Sequence, residues 1–273
     1  MALDLDGNKS ITQSVPQDSH GGNLLSLASH ELRTPLSIVK WYTEMLLDGD
    51  AGPLTDDQTK YLRTIQTSNQ RAIDLIRSLL NVSRLDLGTF SINPEDTDLR
   101  FVVKQILNEY KSLLDDKKIT VEEVYESDIS GVIPSIFVDK QIALVILRSL
   151  ISNAILFSKN DGKISVSIKD LHPDDECGLR KLAYDSLVFS VMDAGVGIPL
   201  KDQENIFSKF FKASNAINED SKGAGLGLYI VQLILSKTGG DVWFVSEENV
   251  GSTFYVAFPK SGMTRKEGRT TLD

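Results

Sequence analysis

Near the start of the chain apolar residues return at alternating intervals of three and four: Leu25, Ala28, Leu32, Pro35, Val39, Tyr42 and Leu46. That spacing is the seam of a long helix packed against another helix. The run Asp48-Gly49-Asp50-Ala51-Gly52-Pro53 interrupts it, and Thr55 stands where a second helix would take its N-cap. Leu62, Ile65, Asn69, Ala72, Ile76, Leu79 and Ser83 repeat the spacing, while Ile73, Leu80 and Leu87 widen the stripe. Two such helices joined by a short turn make an antiparallel hairpin. Its apolar stripe is too wide to leave in water, so the pattern predicts a homodimer that closes a four-helix bundle.

Past residue 87 the pattern alternates helix and strand. Gly88 and Pro94 break the chain, and residues 88–97 read as a hinge linker. Beyond it the sequence predicts a helix near 98–115, short strands near 118–125 and 134–138, and a helix near 139–158. Strands near 163–170 and 186–193 precede a lid-like stretch over 194–224. A helix near 225–238 and a hairpin at 241–247 and 252–258 follow. The fold expected is therefore multidomain, α then α+β: a helical hairpin over 23–87, and an α/β sandwich with a mostly antiparallel sheet over 98–260. Residues 1–22 lack apolar periodicity and read as a disordered lead-in, and 261–273 as a polar tail.

The length of 273 residues fits about two domains. Hydrophobic residues at 41% and charged residues at 25% fit a soluble globular protein and exclude a disordered chain. The net charge of −9 argues against nucleic acid and anionic membrane as partners. Cys177, the single cysteine, excludes an internal disulfide and a multi-cysteine metal site. The strongest apolar run, Ile142 to Leu147, stops at Arg148 and is too short to span a bilayer, and no signal peptide opens the chain. The expectation is a cytoplasmic protein, or the soluble core of a longer one.

Four constellations carry chemistry. In Ser29-His30-Glu31-Leu32-Arg33-Thr34-Pro35, His30, Glu31 and Thr34 lie off the apolar seam. A neutral imidazole there can attack phosphorus, with Glu31 taking the proton of its other nitrogen. The plain alternative is a solvated histidine beside the kink at Pro35. In Asp193-Ala194-Gly195-Val196-Gly197, a carboxylate at a strand end and two glycines suit a flat ligand with an exocyclic amine; an ordinary turn after a core strand is the alternative. Gly223-Ala224-Gly225-Leu226-Gly227 opens a helix, where bare N–H groups and the dipole favour phosphate. It is neither a dinucleotide fingerprint nor a Walker loop. Asn153 offers an amide oxygen to a magnesium ion held by phosphates, or a hydrogen bond at the core edge.

In this order the four resemble the sensor histidine kinases of two-component signalling, over nearly all of residues 23–259. Ile206-Phe207-Ser208-Lys209-Phe210-Phe211 is similar to that family's phenylalanine box, and Gly251-Ser252-Thr253-Phe254 also fits. The resemblance implies a dimerisation and phosphotransfer bundle followed by a GHKL-like α/β sandwich that binds ATP. It implies His30 as phospho-acceptor, Glu31 as its acid–base partner, and Thr34 as the residue positioning the water that dephosphorylates a response regulator. Asn153 would ligate Mg2+, and Asp193 would read adenine beside Gly195 and Gly197. Gly223, Gly225, Leu226 and Gly227 would border the triphosphate, with Lys212, Lys209 and Lys222 supplying positive charge on a mobile lid. Cofactors are then ATP and Mg2+, and partners a second copy and a response-regulator receiver domain, whose aspartate accepts the phosphoryl group.

Two positions depart from the family pattern. Ser149 stands where a second asparagine is usual, and Leu156 where a lysine reaches the phosphates. They support an alternative, a weakened or inactive kinase acting as a dimeric docking or phosphatase module. A clamp ATPase of the gyrase and chaperone type is a second alternative, with no place for the His30 helix. His20 falls in the lead-in. His172 and Cys177 flank Pro173-Asp174-Asp175-Glu176 in what reads as a solvated hairpin tip, a poor zinc site.

Overall fold

The computed structural model describes residues 20–127, 133–216, 223–268 and 270–272, with side chains from residue 31 onward. Most of the lead-in, the His30 side chain, Lys222 and part of the tail lie outside the described residues. Helix α1 (His20–Leu47) begins inside the stretch read as lead-in, and α2 (Asp56–Asp86) runs back against it. Thr55 is the N-cap predicted: the Gln58 N–H donates to its hydroxyl at 3.3 Å, and its own N–H donates to Gln58 Oε1 at 2.9 Å. Asn69, buried between the helices, donates from Nδ2 to the Leu36 carbonyl at 2.8 Å and sets their register. Trp41, Tyr42, Tyr61, Ile65 and Leu75 remain exposed, with Trp41 59% accessible.

After the hairpin come β1 (Glu95–Thr97), α3 (Leu99–Glu109), α4 (Lys111–Lys117), β2 (Thr120–Glu126), β3 (Ile136–Val138) and α5 (Lys140–Phe157). The single helix expected near 98–115 is thus two, broken at Tyr110 (φ −96, ψ 7). Next are β4 (Lys163–Leu171), a small hairpin of β5 (Glu176–Cys177) and β6 (Arg180–Lys181), β7 (Ser186–Asp193), α6 (Gly227–Thr238), β8 (Asp241–Glu247) and β9 (Gly251–Pro259). The five-stranded sheet has the order β2-β4-β7-β9-β8, with only β2 and β4 parallel. β1 pairs with β3 in a separate two-stranded sheet.

Helices cover one face of the sheet. Ile142, Ile146, Leu147, Leu150, Ile151 and Ile155 of α5 are fully buried against Phe189 and Phe258. Among the described residues α5 is the one helix whose length and hydropathy would allow it to cross a membrane; half of it is buried in this core. On the outer face Trp243 stacks on Tyr255 at 5.3 Å and donates to the Cys177 carbonyl at 3.2 Å. The Cys177 segment is therefore packed rather than a solvated tip, and burial raises its thiol pKa.

Residues 88–97 are not the loose hinge their glycine and proline suggest. Leu85 and Phe90 are 0% exposed and Ile92 4%, all in the sandwich core with Val82. Nor is 261–273 a free polar tail, since Met263 and Leu272 fill the same core and the segment pairs with residues 90–92. The sequence signal was misleading because short segments with few apolar residues can still be buried by pairing with each other. The end of α2 and the sandwich should then lose stability together: Leu85→Ala is expected to cost about 3 kcal/mol in urea unfolding. A loss below about 1 kcal/mol would show that Leu85 is not a shared core residue.

Candidate functional site

The candidate site is built around one face of α5. Asp139 caps its start, accepting from the Gln141 and Ile142 N–H groups at 2.9 and 3.1 Å. Ser149, Asn153 and Leu156 are spaced four and three apart, so they share a face, and each is half-buried. The last turn of α5 contains no basic residue. Lys117 supplies one from α4: its Nζ donates to the carbonyls of Ile155, Leu156 and Ser158 at 2.8, 2.9 and 2.9 Å. A cation on terminal carbonyls satisfies them and opposes the negative end of the helix dipole. Sequence reasoning missed Lys117, because nothing local links residue 117 to 155–158.

Asp193 ends β7 and is 6% exposed. Its Oδ1 accepts the Gly195 N–H at 2.9 Å. Burial raises its pKa from 3.8 to about 6, against the lowering pull of backbone donors at Gly195 and Ser252. Gly195 presses on the Phe157 carbonyl at the end of α5, leaving no room for a side chain. Gly197 (φ 61) lies against the Glu247 carbonyl of β8. Asp193 and its two glycines thus lie at the C-terminal end of the α5 face.

The second glycine run reaches the same face from the other side. Gly227 begins α6 with no side-chain cap, and a Cβ there would stand 2.7 Å from Ser149 Oγ. Ser149, the smaller residue where asparagine is usual, is thus what Gly227 packs upon. Gly225 (φ 69) abuts the backbone of Phe210 and Phe211, and Gly223 has open space around it. Leu226 is 1% exposed, so its side chain belongs to the core and only its backbone borders the helix start.

The stretch between the glycine runs is less free than a lid over 194–224 implies. Asp202 Oδ2 accepts from the Ser214 N–H and hydroxyl at 2.7 and 2.6 Å. Gln203 Nε2 donates to the Ile198 and Ser246 carbonyls, and Asn215 Nδ2 to the Gly197 carbonyl at 3.0 Å. Residues 194–216 are tied down, while 217–222 lie outside the described residues. Lys212 is half-buried in this stretch. Lys209 is engaged elsewhere: its Nζ bonds Asp86 of α2 at 3.0 Å and sits 4.9 Å over the Tyr229 ring, and Asp86 raises its pKa.

On the hairpin, His30, Glu31 and Thr34 fall on α1 with Pro35 inside the helix. Glu31 and Thr34 are exposed, and Thr34 shares an open groove with Arg33, Ser37, Ile38 and Trp41. The hairpin residues and the α5 face are on separate units and are not brought together.

Residues 22–88 match the His Kinase A (phospho-acceptor) domain. Residues 139–262 match the family described as histidine kinase-, DNA gyrase B-, and HSP90-like ATPase. The sensor histidine kinase WalK of Bacillus subtilis is 28% identical over 249 residues, covering 91% of this chain and 38% of WalK. Full-length ShkA in complex with AMPPNP superposes with a TM-score of 0.67 at 23% identity, over 90% of this chain and 47% of ShkA. The histidine kinase ThkA in complex with the response regulator TrrA gives 0.54 at 23% identity, over 88% of this chain and 61% of ThkA. At such identities the structural likeness speaks for the fold. The chain spans well under half the length of the curated relatives it matches. With the phospho-acceptor and ATPase-type domains matched in that order, the chain belongs to the sensor histidine kinases of two-component signalling.

Proposed function

We propose that the chain transfers the γ-phosphoryl group of ATP to His30 and from there to an aspartate on a response-regulator receiver domain. The observation that carries this reading is the convergence on one α5 face: Gly195 on the Phe157 carbonyl, Gly227 on Ser149, and Asn153 between them. A strand-end carboxylate, an uncapped helix start and a helix amide are then drawn to one helix face. Those are the groups that an adenine amine, a triphosphate and a metal–phosphate complex need.

In this reading Asp193 accepts a hydrogen bond from the adenine amine beside Gly195 and Gly197. The N–H groups at Gly225, Leu226 and Gly227 face the phosphates, with Gly223 leading in and Lys212 adding charge. Among the described residues no three His, Cys, Asp or Glu side chains group to hold a metal. Asn153 with phosphate oxygens and water is a donor set that suits Mg2+, which keeps several waters and takes few protein ligands. When bound, the ion neutralises phosphate charge. A ring nitrogen of His30 forms the N–P bond in line as the bond to the β-phosphate oxygen breaks. ADP leaves, and Glu31 takes the proton of the other nitrogen. Thr34, which lines a groove with Trp41, positions water in this reading for dephosphorylating a docked regulator. The exposed Trp41, Tyr42, Tyr61, Ile65 and Leu75 support a homodimer whose second copy covers them. A cytoplasmic core of a longer sensor fits these partners.

The second reading, a docking or phosphatase module, draws on Leu156, which brings an apolar side chain to the α5 face. Incubation with γ-labelled MgATP separates the two. Acid-labile, base-stable label is expected on the unsubstituted chain and absent from His30→Gln and Asn153→Ala. No label on any of them would favour the docking module.

The Asp193 pKa gives a pH signature. Its carboxyl is the stronger acceptor for the adenine amine when ionised, so affinity for an ADP analogue should fall as pH drops through about 6. Asp193→Asn should bind weakly with no such step; a step retained in that variant would place its origin elsewhere. Because the folded pKa is raised, this group's contribution to stability is fully present below 3.8 and lost as pH rises through about 6. Leu156→Lys restores a cation beside the phosphates and should raise nucleotide affinity about fivefold. Unchanged affinity and unchanged labelling rate would show that Leu156 does not limit the site.

A further inference from the structure

The described residues between 263 and 272 bind the connection between the hairpin and the sandwich. The Ser91 N–H donates to the Thr270 carbonyl at 2.8 Å. The Ile92 N–H donates to the Lys266 carbonyl at 2.9 Å, and the Lys266 N–H donates back at 3.0 Å. Lys266 Nζ reaches the Gly88 carbonyl at 2.8 Å and lies 4.1 Å over the Phe90 ring. Arg84, at the end of α2, donates from Nη1 to the Thr271 carbonyl at 2.6 Å. Gly268 passes so close to the Phe90–Ser91 backbone that any side chain would collide with it. Met263 and Leu272 anchor the two ends in the core that holds Leu85, Phe90 and Ile92. On its other side the connection is tied to the sandwich, where the Asn93 N–H donates to Asp139 Oδ2 at 2.8 Å.

We propose that this segment is a strap that positions the sandwich on the hairpin and restrains phosphoryl transfer to His30, a role that rests on the kinase reading above. The hairpin register supplies the geometric argument. Asn69 is level with Leu36, so His30 is level with about residue 75 on α2. Asp86 lies about 16 Å further along the helix axis at 1.5 Å of rise per residue. Lys209 bonds Asp86, and the next two residues, Phe210 and Phe211, form the wall against Gly225 of the nucleotide site. The site is thereby held near the foot of the hairpin, whereas in-line attack needs reacting atoms about 3 to 3.5 Å apart. Moving the sandwich toward His30 requires new backbone angles in residues 88–93, and those are the residues that the strap binds. Its release precedes transfer, and nucleotide binding does not depend on it, because the hydrogen bonds of Lys266, Thr270 and Thr271 among the described residues go to residues 84–92 and not to the α5 face.

The test locks the strap reversibly. Ile92 and Lys266 form an antiparallel bridge with reciprocal hydrogen bonds, a spacing that a disulfide can span. Cys177, the native cysteine, is buried. In the Ile92→Cys, Lys266→Cys double variant, oxidation is expected to slow His30 labelling at least about tenfold, with reductant restoring it, because the locked connection denies the near-attack geometry. Binding of a non-hydrolysable ATP analogue should stay within about twofold in both forms, which a general loss of folding would not allow. Lys266→Gln, which removes the contacts to Gly88 and Phe90, should label about threefold faster than the unsubstituted chain if the restraint is a population shift. Equal labelling of the oxidised and reduced forms, or slower labelling of Lys266→Gln, overturns the strap alone. No label on the unsubstituted chain overturns the kinase reading, and the strap's role falls with it.

Discussion

The burial of α5 is the constraint on which the site depends. Nine of its side chains, from Ile142 to Ile155, are closed into the core, which fixes the helix in rotation and along its axis. One helix face is therefore left for Ser149, Asn153 and Leu156, and the glycine segments must come to it. Close approach is what demands glycine: a Cβ at Gly195 would meet the Phe157 carbonyl, and one at Gly227 would meet Ser149. Lys117 completes the arrangement by holding the three carbonyls at the helix end. Without that charge the negative end of the dipole would point, unopposed, toward the loop after Asp193.

Elements with strong periodicity were legible. The seam of α1 and α2, the Thr55 cap, and the strands β4, β7, β8 and β9 follow from hydrophobic spacing and turn residues, because local rules and tertiary packing agree there. The glycines were legible because close approach at Gly195 and Gly227 leaves no room for another residue. What escaped was held by long-range contacts. Lys117 meets residues about forty positions away, and Cys177 is buried only because Trp243 and Tyr255 stack beside it. The linker and tail are the clearest case. Phe90, Ile92, Met263 and Leu272 are too sparse to show a period, yet each is buried once the two segments pair.

Lys209 shows how a residue's role can follow from direction rather than type. As a lysine beside the glycine-rich segment it suits a phosphate, and the chain's net charge of −9 makes local cations important for drawing in an anion. Its ammonium instead joins Asp86 and the Tyr229 face. That pair is exposed, so its electrostatic energy is screened and small. Its weight lies in geometry: it ties the wall beside Gly225 to the foot of α2. Lys212, three positions on, is half-buried.

The contacts at the hairpin's foot differ in kind, and the difference bears on how a kinase of this construction can be both stable and mobile. The exposed Lys209–Asp86 pair can open at little cost in water. The strap couples buried apolar anchors with backbone bonds, so its parts should open together rather than one at a time. Motion that required Leu85 or Phe90 to leave the core would sacrifice the sandwich's own stability, because those side chains are shared by both units. Ser91 and Ile92 have their backbone partners, at Thr270 and Lys266, outside both the hairpin and the five-stranded sheet. Freeing those partners changes the path of the connection and leaves the α5 face intact, so binding and transfer can be controlled separately within one fold.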